Sequence, residues 1–266
     1  QLSSRRPAPW TSFEIRPMIK HYRIHEVSGY IDWIYFFHAW GFSPRKTQTP
    51  EAMQLLQEAK EMLEQLDKNF QTHAVLRLMD ANSEENDIWI EGTRFPFLRQ
   101  QTAKEEEPYL CLSDFIRPSS SKIKDKIGLF ATTVDAEMEQ LYTEDPYLHM
   151  LVKTLADRLA EATAEKTHDT IRKEFQGIRP AVGYPSLPDQ SVNFLLDELL
   201  DMKRIGIHLT ENGMMQPHAS VSGLIFTHPA SRYFSVGKID EQQLKDYAIR
   251  RGLPIGQMRK FLARNL

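Results

Sequence analysis

The sequence predicts a single α+β domain built on a largely antiparallel sheet, and three observations carry that expectation. Strand-like stretches fall in neighbouring pairs and helical patterns in blocks, unlike the regular alternation of a parallel α/β sheet. The chain has 266 residues, 41% of them hydrophobic, enough to bury one full core. No linker-like stretch divides its interior, and no internal repeat is visible.

Residues 1–12 are polar and proline-bearing and read as a tail or linker, leaving 13–266 as the domain. From Asp32, the run Asp-Trp-Ile-Tyr-Phe-Phe-His-Ala-Trp places five aromatic residues among nine, which predicts a buried segment in which Asp32 needs a partner. Thr49 before Pro50 and Glu51 marks a helix start, and Ala52, Leu55, Leu56, Ala59, Met62, Leu63 and Leu66 recur at helical spacing. Residues 74–79 and 88–91 are strand-like around a polar turn holding Asn82, Ser83, Asn86 and Asp87, so a hairpin is expected. A further strand is expected at 127–133. Asp145-Pro146 opens a long helix whose apolar positions Met150, Leu151, Leu155, Leu159 and Ala162 lead toward Phe175. Another helix spans 189–203, with Val192, Leu195, Leu196 and Leu199 on one side. Strands follow at 205–210, 220–227 and 233–236, and helices starting at Asp240 and Pro254 close the chain.

Composition removes several function classes. A formal net charge of −3 lacks the basic excess of a nucleic-acid surface. There is no run of about eighteen apolar residues and no charged-then-apolar leader, so neither a membrane partner nor secretion is expected, and the cytoplasm is the expected location. The single Cys111 gives neither an internal disulfide nor a thiolate-rich zinc site within this chain. His208, His218 and His228 share the C-terminal strand region, but no ligand spacing follows, and no metal role is assigned. G-x-G-x-x-G, Walker, G-x-S-x-G and H-E-x-x-H signatures are all missing.

The positive signal lies at 179–185. Arg179, Gly183 and Tyr184 stand between Pro180 and Pro185 or beside them, so a guanidinium able to grip a carboxylate sits in a conformationally restricted chain. That suits a small zwitterion, although an ordinary proline-bounded loop has the same composition. Acidic partners for a ligand ammonium are Asp32 and Glu161, the latter four residues after Asp157 on one helix face. The alternative is a solvated, salt-bridged stripe of Asp157, Arg158, Glu161 and Glu165.

A wider set of residues bears on this choice: Tyr30-Ile31-Asp32-Trp33 with Phe36-Phe37; Leu98-Arg99-Gln100-Gln101-Thr102; Asp114-Phe115 before Pro118; Ala156-Asp157-Arg158-Leu159-Ala160-Glu161-Ala162; Gln176-Gly177-Ile178-Arg179-Pro180-Ala181 with Gly183-Tyr184-Pro185; and Ala219-Ser220-Val221-Ser222-Gly223 with His228-Pro229. Together, and in this order, they resemble the activation domain of cobalamin-dependent methionine synthase, over nearly the whole chain. The resemblance implies a C-shaped α+β domain with a bent, largely antiparallel sheet and flanking helices, binding S-adenosylmethionine in a shallow groove. It implies that Asp32 and Glu161 face the amino-acid end or sulfonium, Arg179 binds the carboxylate or nearby polar atoms, and Ala181 offers backbone hydrogen bonds. Tyr184 would stand beside the transferred methyl, and Tyr233 and Phe234 would line the groove. Phe234 replaces a tyrosine found in some relatives, which removes a hydroxyl. The connection before Gln176 is also short, which implies a more open rim.

The implied activity is that of a methyltransferase component in methionine biosynthesis. Inactive cob(II)alamin, held by a cobalamin-binding module, would be rescued by one electron from a flavodoxin-like donor and a methyl from S-adenosylmethionine. The chain has no D-x-H-x-x-G cobalamin motif and no zinc-binding cysteine cluster. With Gln1 at its start, it is therefore expected to be part of a longer methionine synthase or a separate subunit. A non-catalytic S-adenosylmethionine sensor or docking module for a corrinoid protein is the other class of function compatible with the same residues.

Overall fold

The computed structural model describes residues 17–102, 107–171 and 177–266, so the expected tail at 1–12 lies outside the described residues. Strand β1 (Met18–Arg23) runs directly into the short helix α1 (Ile24–Ser28). Asp32 then caps α2 (Trp33–Ala39), its carboxylate accepting the Ile34 N–H at 2.9 Å. The aromatic run is not the buried segment expected. It forms a two-turn surface helix that turns Phe36 and Phe37 inward and leaves Ile34 and Tyr35 exposed. Helix α3 (Pro50–Leu66) begins at the predicted place, with the Thr49 hydroxyl accepting the Ala52 N–H at 3.3 Å, and buries Leu55, Ala59, Met62, Leu63 and Leu66.

Strand β2 (Gln71–Glu84) is longer than its apolar stretch. It passes through Asn82 and Ser83, whose side chains find carbonyls across the sheet edge: Asn82 donates to Ile123 at 2.8 Å and Ser83 to Ile116 at 2.8 Å. The hairpin turn therefore falls later than predicted, at Glu85 and Asn86, and leads into β3 (Asp87–Ile90) and β4 (Thr93–Pro96). Strand β5 (Asp125–Val134) is buried continuously from Ile127, because helices cover both of its faces. Helix α4 (Pro146–Asp169) ends before the predicted Phe175, and residues 172–175 lie outside the described residues.

Helix α5 (Val192–Leu200) is shorter than the predicted 189–203. Asp189 instead accepts the Ser191 N–H and hydroxyl at 2.8 Å each, and Asp201 at φ 52° ends the helix. The predicted strand at 205–210 is reduced to β6 (His208–Leu209), paired with β7 (Met215–Gln216). Strand β8 (Ser220–Phe226) follows. Residues 233–236 are extended without joining a sheet; they are pinned by Ser186 donating to the Phe234 carbonyl at 2.6 Å and by Val236 N–H donating to Pro185 O at 2.9 Å. Helices α6 (Glu241–Arg251) and α7 (Ile255–Phe261) complete the described chain.

The main sheet runs β4-β3-β2-β5-β8, and β1 pairs with the first part of β2 on the same edge that β3 takes further along; every strand pair is antiparallel. Neither β1 nor β4 was expected from pattern alone, being short and half-polar. Helix α4 crosses one face, where Ala160 and Ala164 allow close approach to Leu76, Phe130 and Val221. On the other face Leu196 and Leu200 of α5 pack with Ile127, Leu129, Leu224 and Phe226.

The free edge of β8 decides where the proline-bounded segment lies. Phe226 N–H donates to Ile178 O at 2.9 Å, Leu224 N–H to Pro180 O at 3.0 Å, and Val182 N–H to Ser222 O at 2.9 Å. Pro180 forfeits one ladder bond, which an edge tolerates. Ala181 lies opposite Gly223, and a side chain there would be impossible without movement: a Cβ on Gly223 would meet Pro180 O at 2.2 Å and Ala181 Cα at 2.9 Å. Gly223→Ala is accordingly expected to cost about 1–3 kcal/mol in chemical denaturation, by pushing this segment off the sheet. Gly29→Ala, where a Cβ meets nothing within 4 Å, should stay within about 0.5 kcal/mol of the parent and serves as the control.

Candidate functional site

A groove of about 740 Å³ opens between α2, α4 and the segment paired to β8. Asp32, Glu161, Arg179, Ala181, Tyr184, Tyr233 and Phe234 all line it. They arrive from four parts of the chain, each held for a separate reason. Asp32 is placed by capping α2. Glu161 stands on α4 with Arg158 and Glu165, at i, i+3 and i+7 of one face. Arg179 and Ala181 are fixed by the β8 ladder; since Pro180 O and Val182 N–H face β8, alternation turns the Ala181 N–H away from β8, on the groove side. Tyr184 follows Gly183, whose φ of +87° starts a turn closed by Gly183 N–H to Leu187 O at 2.8 Å and Leu187 N–H to Tyr184 O at 2.9 Å.

Several polar groups of this groove are paired with one another. Tyr184 donates its hydroxyl to Glu161 Oε1 at 2.6 Å, and burial, reinforced by that carboxylate, pushes the phenol well above the ordinary tyrosine range. Arg179 donates from Nη2 to Glu165 Oε2 at 3.1 Å, and its guanidinium carbon lies 5.1 Å from the centre of the Phe130 ring. The Arg179 Nε is buried and has no hydrogen-bond partner among the described residues. Its backbone N–H donates to the Tyr233 hydroxyl at 3.0 Å, which fixes the outer wall. Phe234 packs its ring 6.3 Å from Phe115.

Asp157 does not join Glu161 in the groove. The face that turns toward the ligand-sized space is that of Arg158, Glu161 and Glu165, whereas Asp157 lies beside His218 and Glu139; burial raises its carboxyl and His218 pulls it back down. Of the acidic positions 157, 161 and 165 on α4, Glu161 and Glu165 line the groove and Asp157 does not. Tyr30, Tyr35, Arg158 and Glu165 also line the groove, and Arg158 lies 5.8 Å from the Tyr35 ring centre. The i, i+3, i+7 spacing was the available signal for the two α4 residues; nothing marked Tyr35. Among the described residues no cluster of three or more His, Cys, Asp or Glu side chains is arranged to hold a metal, and no helix is long and apolar enough to cross a membrane. The short connection before Gln176 lies partly outside the described residues.

Residues 23–252 match the family described as the activation domain of vitamin B12-dependent methionine synthase. The chain belongs to that family. A crystal structure of the MetH reactivation domain bound to AdoHcy is similar to this activation domain, at 35% identity, with 95% of this chain and 91% of that chain covered and a TM-score of 0.87. This activation domain and that protein share the α+β fold.

Proposed function

We propose that this activation domain binds S-adenosylmethionine in the groove and presents its methyl group to cobalamin held by a cobalamin-binding module, reactivating methionine synthase. The observation that carries the reading is the charge arrangement. A buried guanidinium with an unpartnered Nε stands across from carboxylates, and three carboxylates (Asp32, Glu161, Glu165) against two guanidinium groups (Arg158, Arg179) leave one net negative charge. S-adenosylmethionine carries a carboxylate, an ammonium and a sulfonium, one net positive charge, so the groove and the ligand are complementary in sign as well as in distribution. The bound AdoHcy in the similar MetH domain supports the same ligand class.

Held by Asp32, Glu161, Arg179 and the Ala181 N–H, S-adenosylmethionine would supply an electrophilic methyl to the cobalamin of the partner module, with one electron from a flavodoxin-like donor, and would leave as S-adenosylhomocysteine. The residues of this chain supply position instead of acid–base chemistry. Arg179 holds the carboxylate end, Ala181 offers its N–H, and Asp32 and Glu161 face the cationic end. Tyr184, half-exposed at the rim with its hydroxyl donating to Glu161, would set the distance between methyl and acceptor. The neutral product has lost the positive charge that the groove favours, so the same electrostatics that bind substrate loosen product.

Titration of the purified chain with S-adenosylmethionine in a calorimeter is expected to saturate with micromolar affinity, about −8 kcal/mol. Single-turnover methylation of a reduced cobalamin module, followed by absorbance, should then depend on this chain. Binding without methylation would identify a sensor or docking module; no saturation at millimolar ligand would remove the ligand assignment itself.

A further inference from the structure

We infer that Glu165 is a positioning residue: its carboxylate sets the orientation from which the Arg179 guanidinium receives a ligand carboxylate. This rests on the groove being the S-adenosylmethionine site. Glu165 stands on α4 four residues beyond Glu161, and each of the two acids ties one residue of the segment paired to β8, Glu161 to Tyr184 at 2.6 Å and Glu165 to Arg179 at 3.1 Å. The guanidinium is a planar fork whose donors are useful only in the right plane. Phe130, 5.1 Å away on β5, fixes the tilt of that plane, and Glu165 fixes its rotation by holding Nη2. The Arg179 side chain is 13% exposed and that of Glu165 38%, so the acid stands at the outer side and the guanidinium further in, with its Nε buried and unpartnered among the described residues. A long side chain held at two points before binding gives up its rotamer freedom during folding instead of during ligand capture.

The glutamine variant and the choice of ligand separate this role from a simple field effect. S-adenosylmethionine is net cationic, so loss of the Glu165 charge alone would weaken both ligands, and alanine and glutamine would do so equally. A positioning role distinguishes them. Glu165→Ala and Glu165→Gln both remove the charge, but only the glutamine keeps an oxygen that accepts from Arg179.

The test is calorimetry on the full chain and both variants, with S-adenosylmethionine and with decarboxylated S-adenosylmethionine, which keeps the sulfonium and the amine. Glu165→Ala should weaken S-adenosylmethionine about tenfold, and Glu165→Gln should recover most of that loss. For the decarboxylated ligand the two variants should agree within about threefold. The inference is overturned if Glu165→Ala binds S-adenosylmethionine as tightly as the parent, if glutamine and alanine are equally impaired, or if both ligands lose affinity alike together with a lowered melting temperature. Failure of the parent chain to bind either ligand would instead bring down the site reading on which the inference stands.

Discussion

Arg179→Ala should cost about 2 to 4 kcal/mol in S-adenosylmethionine binding, moving a micromolar site toward the millimolar range. The magnitude follows from what remains after truncation. The ligand carboxylate enters a half-buried groove without its cation, and the Glu165 carboxylate, which Arg179 held, lies beside it. Because the Arg179 side chain also covers the Phe130 ring, thermal unfolding on the same sample is needed. A fall in affinity with the melting temperature kept within a few degrees assigns the loss to binding. Unchanged affinity would show that the carboxylate end of the ligand lies elsewhere.

The second large effect belongs to kinetics. Tyr184→Ala should leave S-adenosylmethionine affinity within about tenfold while slowing methyl transfer to cobalt on the order of 10²-fold, the cost associated with misplacing reacting atoms by about 1 Å. The ring is 52% exposed, on a turn set by Gly183 at φ +87°, so it contributes little core area and is free to touch a docked partner. Its hydroxyl holds Glu161 in place, and Tyr184→Phe separates the two contributions: loss of rate only in the alanine variant assigns the effect to the ring, and equal losses assign it to the bond with Glu161. Parallel losses of melting temperature, affinity and rate would instead make Tyr184 a packing residue.

Much of the fold was legible because its elements carry local signals strong enough to survive packing. Thr49-Pro50 and Asp145-Pro146 start helices by chemistry that does not depend on neighbours, and each places a side-chain oxygen on the first turn's N–H groups. The failures came where tertiary contacts override composition. The aromatic run from Asp32 is dense enough to suggest burial, yet only Phe36 and Phe37 are fully buried, Trp33 and Trp40 pack against the core from its edge, and the exposed Tyr35 ends up over the groove. Residues 233–236 have strand composition, but the β8 edge is already taken by 178–182, and they are tied to Pro185 and Ser186 instead.

The groove was legible in a different way. The residues gathered there are recognisable as a set in sequence, although periodicity could not decide whether Glu161 faced a ligand or solvent. What pattern could not reach was pairing across the fold: that Glu165 rather than Asp157 shares the groove, and that it meets an arginine beyond the end of its own helix, depends on how α4 is rotated against β5.

The groove takes its walls from positions as far apart as Asp32 and Phe234, with the edge of the last long strand between them. Two walls, α4 and the segment from Arg179 to Tyr184, lie close in sequence and meet locally. Completing the groove also requires Asp32 and Phe234 to come together, and that long closure carries the larger loop entropy. A ligand that recognises the finished groove therefore acts on the entire folding equilibrium: at a hundred times its dissociation constant it would add about 2.7 kcal/mol to global stability. Occupancy of the groove and survival of the domain are thereby thermodynamically linked.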